Sequence, residues 1–341
     1  MKLFMRDWLL NLYYEINTVK AGVIKRCLSI TNNKNNILFS YYEKGKRVPG
    51  QPSMIFIHGF SSNKESWLPV MKYIPDGYHC IIIDLPYHGE TIEFKEDDYT
   101  IDTCVDKLKL FFDEMNLIEP MYIIGASMGA IVAIIFTTKY PKYINMICLL
   151  APTPIREYES VLIKQLRSGK DYILLPETSK QFNIMADLLT VKDTNLPKVF
   201  VNKYFKSRLH LLDEQKEILK SFLKYDYLNL EQYYEQLKYI KYPVLIMWGR
   251  QDQLCKVEGI EYFSKLIFNR EIIEKASSAT DLAVTLQAVF PIFQLLLDCD
   301  KKFIRLTNER THQIHDLSID ITECPFPWQP QIYISNNVEF V

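Results

Sequence analysis

Ser127 is the residue around which chemistry could be organised. It sits in Gly125-Ala126-Ser127-Met128-Gly129, after the apolar run Met121–Ile124 and before Ile131–Lys139, where apolar residues recur at helical density. A G-x-S-x-G between a strand and a helix is a nucleophile elbow: a tight turn lifts the serine hydroxyl clear of the backbone. Glycines at both ends lack a Cβ and let strand and helix approach. The following helix then aims unpaired N–H groups at charge developing on an ester carbonyl. A serine hydroxyl needs a base to take its proton and a carboxylate to hold that base. Asp252 lies just past the apolar run Pro243–Trp248 and is the candidate acid; a helix N-cap role is compatible with it. His58-Gly59-Phe60, after the apolar run Met54–Ile57, suits a loop whose backbone completes an oxyanion hole. Phe60 would give one N–H and Met128 the other, with His58 as a hydrogen-bonding strut of the loop rather than the base.

Around these residues, short apolar runs alternate with helical patterns along the chain. Arg26–Thr31 and Ile37–Tyr42 read as an opening hairpin around the Asn-rich turn 32–36. Buried strands follow at Met54–Ile57, His79–Leu85, Met121–Ile124 and Ile144–Leu150, with helices at Trp67–Tyr73 and Tyr99–Met115 between them. That alternation predicts a mostly parallel central sheet with helices on both faces. It stops over 154–241, which is helical in pattern and rich in Tyr, Phe and Leu, and resumes at Pro243–Gly249, Glu258–Ile267, Glu271–Ile273 and Asp281–Leu297. We expect a core of 27–153 with 242–299, a helical cap at 154–241, an apolar segment at 1–26 and a tail at 300–341. The aromatic density of the cap predicts an apolar cleft with Ser127 at its base.

Bulk properties exclude several classes. Hydrophobic residues make up 48% of the 341 and charged ones 24%, enough for a large core. The net charge of −1, with Lys and Arg dispersed, argues against nucleic-acid binding. Seven scattered cysteines fit a reducing compartment, and neither a metal site nor a cofactor motif is evident. The uncharged run Trp8–Tyr14 is far shorter than the ~20 residues of a spanning helix, and no signal-peptide cleavage pattern follows it. An intracellular protein, cytoplasmic or in peripheral membrane contact through residues 1–26, is the expectation; a helix packed on the core is the other reading of that segment.

Four stretches in order, His58-Gly-Phe-Ser-Ser-Asn-Lys-Glu-Ser-Trp67, Asp84-Leu-Pro-Tyr-His-Gly89, Gly125-Ala-Ser-Met-Gly129 and Trp248-Gly-Arg-Gln-Asp-Gln253, resemble the monoacylglycerol lipases of the α/β-hydrolase fold, in particular the domain-containing protein six branch. The resemblance runs from about Ile37 to Asp298. It implies a cap, an acyl-chain tunnel and hydrolysis of glycerol esters, with Ser127 as nucleophile, Asp252 as acid and Phe60 and Met128 at the oxyanion hole. One departure bears on the chemistry: Ser277-Ser278 stand where the family carries Gly-His, and Ala283-Val-Thr285 where it carries Glu-Arg-Pro. The triad histidine is therefore replaced by Ser278. His210, His312 and His315 are candidate substitutes, whereas His88 is a turn residue in the family's geometry. The branch also carries a spanning N-terminal helix that this chain does not show. Two functions follow: a serine ester hydrolase of weak activity on a lipid ester, or a catalytically silent lipid-binding relative.

Overall fold

The structure is a computed structural model that describes residues 15–31, 36–93, 99–117, 119–153, 155–189, 210–249, 252–267, 270–275, 306–307 and 314–315. The chain divides into residues 1–281 and residues 282–341. In the first unit a helix at 15–21 (α1) leads into β1 (Val23–Thr31), which pairs antiparallel with β2 (Asn36–Lys44) from Val23↔Lys44 to Thr31↔Asn36. The opening hairpin is therefore real but forms the edge of the main sheet, and its strands extend past the apolar residues that signalled them. In the second unit the described residues form a two-residue antiparallel pair, β10 (Leu306–Thr307) with β11 (Ile314–His315).

Six parallel strands make up the rest of the sheet: β3 (Met54–Ile57), β4 (Cys80–Ile83), β6 (Met121–Ala126), β7 (Ile144–Leu150), β8 (Val244–Gly249) and β9 (Arg270–Lys275). Their order is β1-β2-β4-β3-β6-β7-β8-β9, with the two-residue β5 (Ile92–Glu93) on β2. β3 and β4 are buried at every position, as strands covered on both faces must be. α2 (Leu68–Met71) follows β3, α3 (Ile101–Glu114) precedes β6 and α4 (Met128–Lys139) follows it. Thr100 caps α3, its side chain accepting the Thr103 N–H. α4 is buried from Met128 to Thr137, since the sheet covers one side and α3 and the helical segment the other.

The strand order itself marks a crevice. From β3 the chain steps to β4 on one side and then returns to β6 on the other, so the direction of winding reverses between β3 and β6. Open α/β sheets bind ligands outside the carboxyl ends of the strands at such a point. The register Ile57↔Gly125 places the loop that begins at His58 directly beside the turn at Ser127.

Between β7 and β8 lies a run of helices: α5 (Val161–Arg167), α6 (Ser179–Leu189), α7 (Leu212–Leu228) and α8 (Leu230–Gln236). The last of these packs on α4 and on α9 (Gly259–Leu266), as the return crossover to β8 must. Residues 1–14, Ser277, Ser278, the helix expected over 281–297, His312 and most of the tail lie outside the described residues.

Candidate active site

The turn at Ser127 is strained as a nucleophile elbow requires. Its φ of 51° and ψ of −117° fall where side-chain-bearing residues rarely go, at a cost of order 1–3 kcal/mol. The Ser127 N–H donates to Leu150 O at 2.8 Å, which anchors the turn to β7. The two glycines of the motif have separate jobs. A Cβ on Gly125 would lie 2.3 Å from Gly129 O, so its absence lets helix and strand meet. A Cβ on Gly129 would lie 2.5 Å from the carbonyl oxygens of Ile57 and His58, so its absence lets the neighbouring loop come down on the helix start.

That loop closes on the serine. The Cβ missing from Gly59 would sit 3.4 Å from Ser127 Cβ. The backbone N–H groups of Phe60, which follows Gly59, and of Met128, which follows Ser127, have no protein acceptor among the described residues. Two unused donors beside a serine are what an oxyanion hole consists of.

The loop is tied down from behind by residues that the sequence did not single out. Lys64 Nζ is fully buried and reaches Asp84 Oδ2 and Glu90 Oε2 at 2.7 Å each and Glu65 Oε1 at 3.2 Å. Asp84 also accepts the backbone N–H of Lys64 at 2.6 Å and of Glu90 at 2.9 Å. Burial works against its charge, yet the three carboxylates hold the Lys64 ammonium above the usual lysine range. Glu90 is half-buried, but Lys64 overcomes that burial and holds it at about 2. Gly89, at φ 57°, closes the turn so tightly that a Cβ would lie 2.3 Å from the Asp84 carboxylate. Two of the stretches that carried the resemblance, His58–Trp67 and Asp84–Gly89, are thus halves of one buried ion-pair joint.

Asp252 follows β8. Its Oδ1 accepts the N–H groups of Leu254 and Cys255 at 2.9 Å each, and burial nevertheless pushes its pKa up to about 6. The row Ala126↔Leu150↔Met247 shows that Ser127 and Asp252 leave strands two places apart. Two strand spacings are about 10 Å, a gap of the size an imidazole bridges with a hydrogen bond at each end. Among the described residues no imidazole is hydrogen-bonded to either.

The four described histidines of the first unit have other places. His58 is the strut expected of it, Nδ1 to Gly59 O at 2.7 Å and Nε2 to Leu85 N at 3.1 Å. His79 lies between Ser53 and Glu43 at the other end of the strands. His88 is buried in its turn with Nδ1 2.9 Å from Pro86 O. His210 is exposed ahead of α7, and His315 belongs to the short β11 of the second unit. β9, which leads to Ser277 and Ser278, ends at Lys275, paired with Gly249.

The helical segment lies over both loops. Its buried cluster of Leu162, Leu166, Ile173, Leu175 and Leu219 packs on Phe60 and Leu254. Gln215 of α7 accepts the Ser61 hydroxyl at 3.3 Å, and Tyr234 of α8 donates to Thr153 O at 2.6 Å. An apolar opening of about 360 Å³, part of it open to solvent, runs between Tyr87, Tyr99, Ile101, Val132 and Ile218. It borders Met128, the residue that follows Ser127.

Comparisons with known proteins agree with this architecture. A family model described as the alpha/beta hydrolase fold matches residues 52–278. The human monoacylglycerol lipase ABHD6 is 28% identical over 244 residues, covering 69% of this chain and 71% of that protein. Lipase 1 of Psychrobacter immobilis is 26% identical over 234 residues, covering 68% and 72%. A crystal structure of a membrane phospholipase A, a bacterial virulence factor, superposes with a TM-score of 0.77 at 20% identity, over 86% of this chain and 92% of that one. With an elbow, a switch-point crevice and a family match across most of its length, the chain belongs to the α/β-hydrolase fold family.

Proposed function

We propose that this chain is a serine ester hydrolase of the monoacylglycerol-lipase type, acting weakly on glycerol or other lipid esters. The observation that carries the reading is the strained Ser127 together with two unused backbone donors, Phe60 and Met128. Its relatives among lipases supply the substrate class. Ser127 Oγ attacks the ester carbonyl carbon, and the Phe60 and Met128 N–H groups hold the resulting oxyanion. The carbonyl re-forms as the alcohol leaves with a proton, giving an acyl-serine that water hydrolyses to the fatty acid. In the family's scheme an imidazole moves these protons and Asp252 steadies its charge. With Ser278 at that position the proton passes to water, and the step is slow. Loss of the histidine alone from such a triad costs on the order of 10⁶ in turnover, leaving roughly 10³–10⁴ over water.

The second reading, a silent lipid-binding protein, is favoured by one observation: no described imidazole reaches Ser127 or Asp252. Both readings keep the helical segment as a cap. Both also take residues 1–26 to contact a lipid surface, because Ile16 and Val19 of α1 are exposed beside Lys20. No described helix is long and apolar enough to cross a membrane. Turnover of one short-chain and one long-chain monoacylglycerol by the purified protein and by Ser127→Ala separates the two. Slow turnover that vanishes in Ser127→Ala is expected; turnover equal in the two proteins would leave the silent reading.

A further inference from the structure

His58 does more than brace a loop. Leu85 N–H can only donate, so the His58 Nε2 that it meets at 3.1 Å must be the unprotonated ring nitrogen. The proton is then on Nδ1, which donates to Gly59 O at 2.7 Å. Burial keeps the ring in this neutral form, with its pKa lowered to about 4. Gly59 O belongs to the same peptide unit as the Phe60 N–H, and every described peptide bond is trans, so the two point in opposite directions. The same oxygen accepts a second bond, from Ser62 N–H at 3.2 Å.

We propose that His58 is a positioning residue that acts on the ester through the Gly59–Phe60 peptide: its Nδ1–H fixes the plane of that peptide and polarises it, making Phe60 N–H a stronger and better-aimed oxyanion donor. Hydrogen bonds in a chain strengthen one another, and here the chain runs from Leu85 N–H through the imidazole to the Gly59 carbonyl and out at Phe60 N–H. The role falls to a histidine with no hydrogen bond to Ser127 among the described residues. It rests on the ester-hydrolase reading for its kinetic consequence, but not for the polarisation itself.

Two variants divide the ring's duties. His58→Asn keeps an N–H near the Nδ1 position for Gly59 O and gives up the acceptor for Leu85. His58→Gln offers an oxygen near the Nε2 position to Leu85 N–H and gives up the donor to Gly59. The first readout needs no turnover: the amide proton and nitrogen shifts of Phe60 in the full chain, with imidazole ¹⁵N spectra to assign the tautomer. The Nδ1–H form is expected in the parent, with the Phe60 amide moving upfield in His58→Gln and staying near the parent position in His58→Asn. The second readout is hydrolysis of a short monoacylglycerol. His58→Gln should lose about tenfold in kcat with KM unchanged, a fraction of the 10²–10³ lost with a whole oxyanion donor. His58→Asn should stay within about threefold even if it melts earlier. A Phe60 amide that ignores His58→Gln, an Nε2–H tautomer, or kcat losses that follow melting temperature in both variants would overturn the proposal. If the parent turns over nothing, the ester-hydrolase reading fails and the Phe60 shifts still decide this one.

Discussion

The two ends of the parallel strands make opposite use of the same side chains. At the amino ends, Ser53 Oγ lies 2.8 Å from His79 Nδ1 and His79 Nε2 lies 3.3 Å from Glu43 Oε1, a complete serine–imidazole–carboxylate row. Ser53 and His79 are buried, and Arg26 Nε donates to Glu43 as well. Ser53 has ordinary backbone geometry, and its carbonyl is already bonded to Tyr122 N–H. At the carboxyl ends, Ser127 is strained, two unused N–H groups follow it and Gly59 in the chain, and a switch-point crevice opens there, yet no described imidazole is hydrogen-bonded to it. Linking three residue types is easy for a sheet; strain, waiting donors and a place for the substrate are what the fold reserves for one end.

The sharpest way to test that contrast is to restore the imidazole where the fold expects it. Ser277→Gly combined with Ser278→His should raise monoacylglycerol hydrolysis by about 10³-fold or more, part of what a triad histidine contributes. Adding Ser127→Ala should erase the gain, whereas adding Ser53→Ala should leave it within twofold. Turnover that followed Ser53 instead would break the comparison outright. Poor labelling by a fluorophosphonate probe in the parent and strong labelling in the double variant would report the same change.

Stability offers the next contrast. Lys64→Met leaves Asp84 buried without its cation and should cost about 3–5 kcal/mol in denaturant unfolding. His79→Phe, at the other end, removes the hydrogen bonds to Ser53 and Glu43 and should cost about 1–3 kcal/mol. Equal losses would mean the two ends are braced alike.

A smaller effect has a sign that can be checked by pH. The Asp252 carboxyl titrates at about 6 in the folded protein against an ordinary 3.8, so between these values the folded state binds the extra proton. Stability therefore falls as pH rises through that window, by up to about 3 kcal/mol, and the deficit is complete above it. Asp252→Asn should unfold later than the parent by about 2–3 kcal/mol at pH 7.5 and match it below pH 3.8. A variant less stable than the parent at pH 7.5 would show that the ionised carboxylate is a net asset to the fold.

What could be read from the chain follows how local the cause is. Gly125 and Gly129 announce the elbow because the contacts they permit lie within a few residues or on the adjacent strand. α4 starts at Met128, earlier than its periodicity shows, because its N-cap is the strained serine itself. β5 is two residues long and carries no period to detect. The joint of Lys64 with Asp84 spans 20 residues and three elements, so the two stretches could be recognised as text without revealing that they touch. His58 could be read as a strut from its motif, but its tautomer needed the Leu85 N–H, 27 residues away.

The helical segment between β7 and β8 has a consequence for how such a protein diversifies. It leaves the sheet at Leu150, the end of β7, and α8 packs on α4 before the chain re-enters the sheet at Val244. Lengthening a loop at that point is cheap, about 0.6 kcal/mol per doubling. The portion from Ile155 to Leu189 is thus a replaceable module, held to the core by apolar contact with Phe60 and Leu254. A lineage can exchange it to admit new molecules while inheriting the elbow, the Lys64 joint and the His58 relay unaltered.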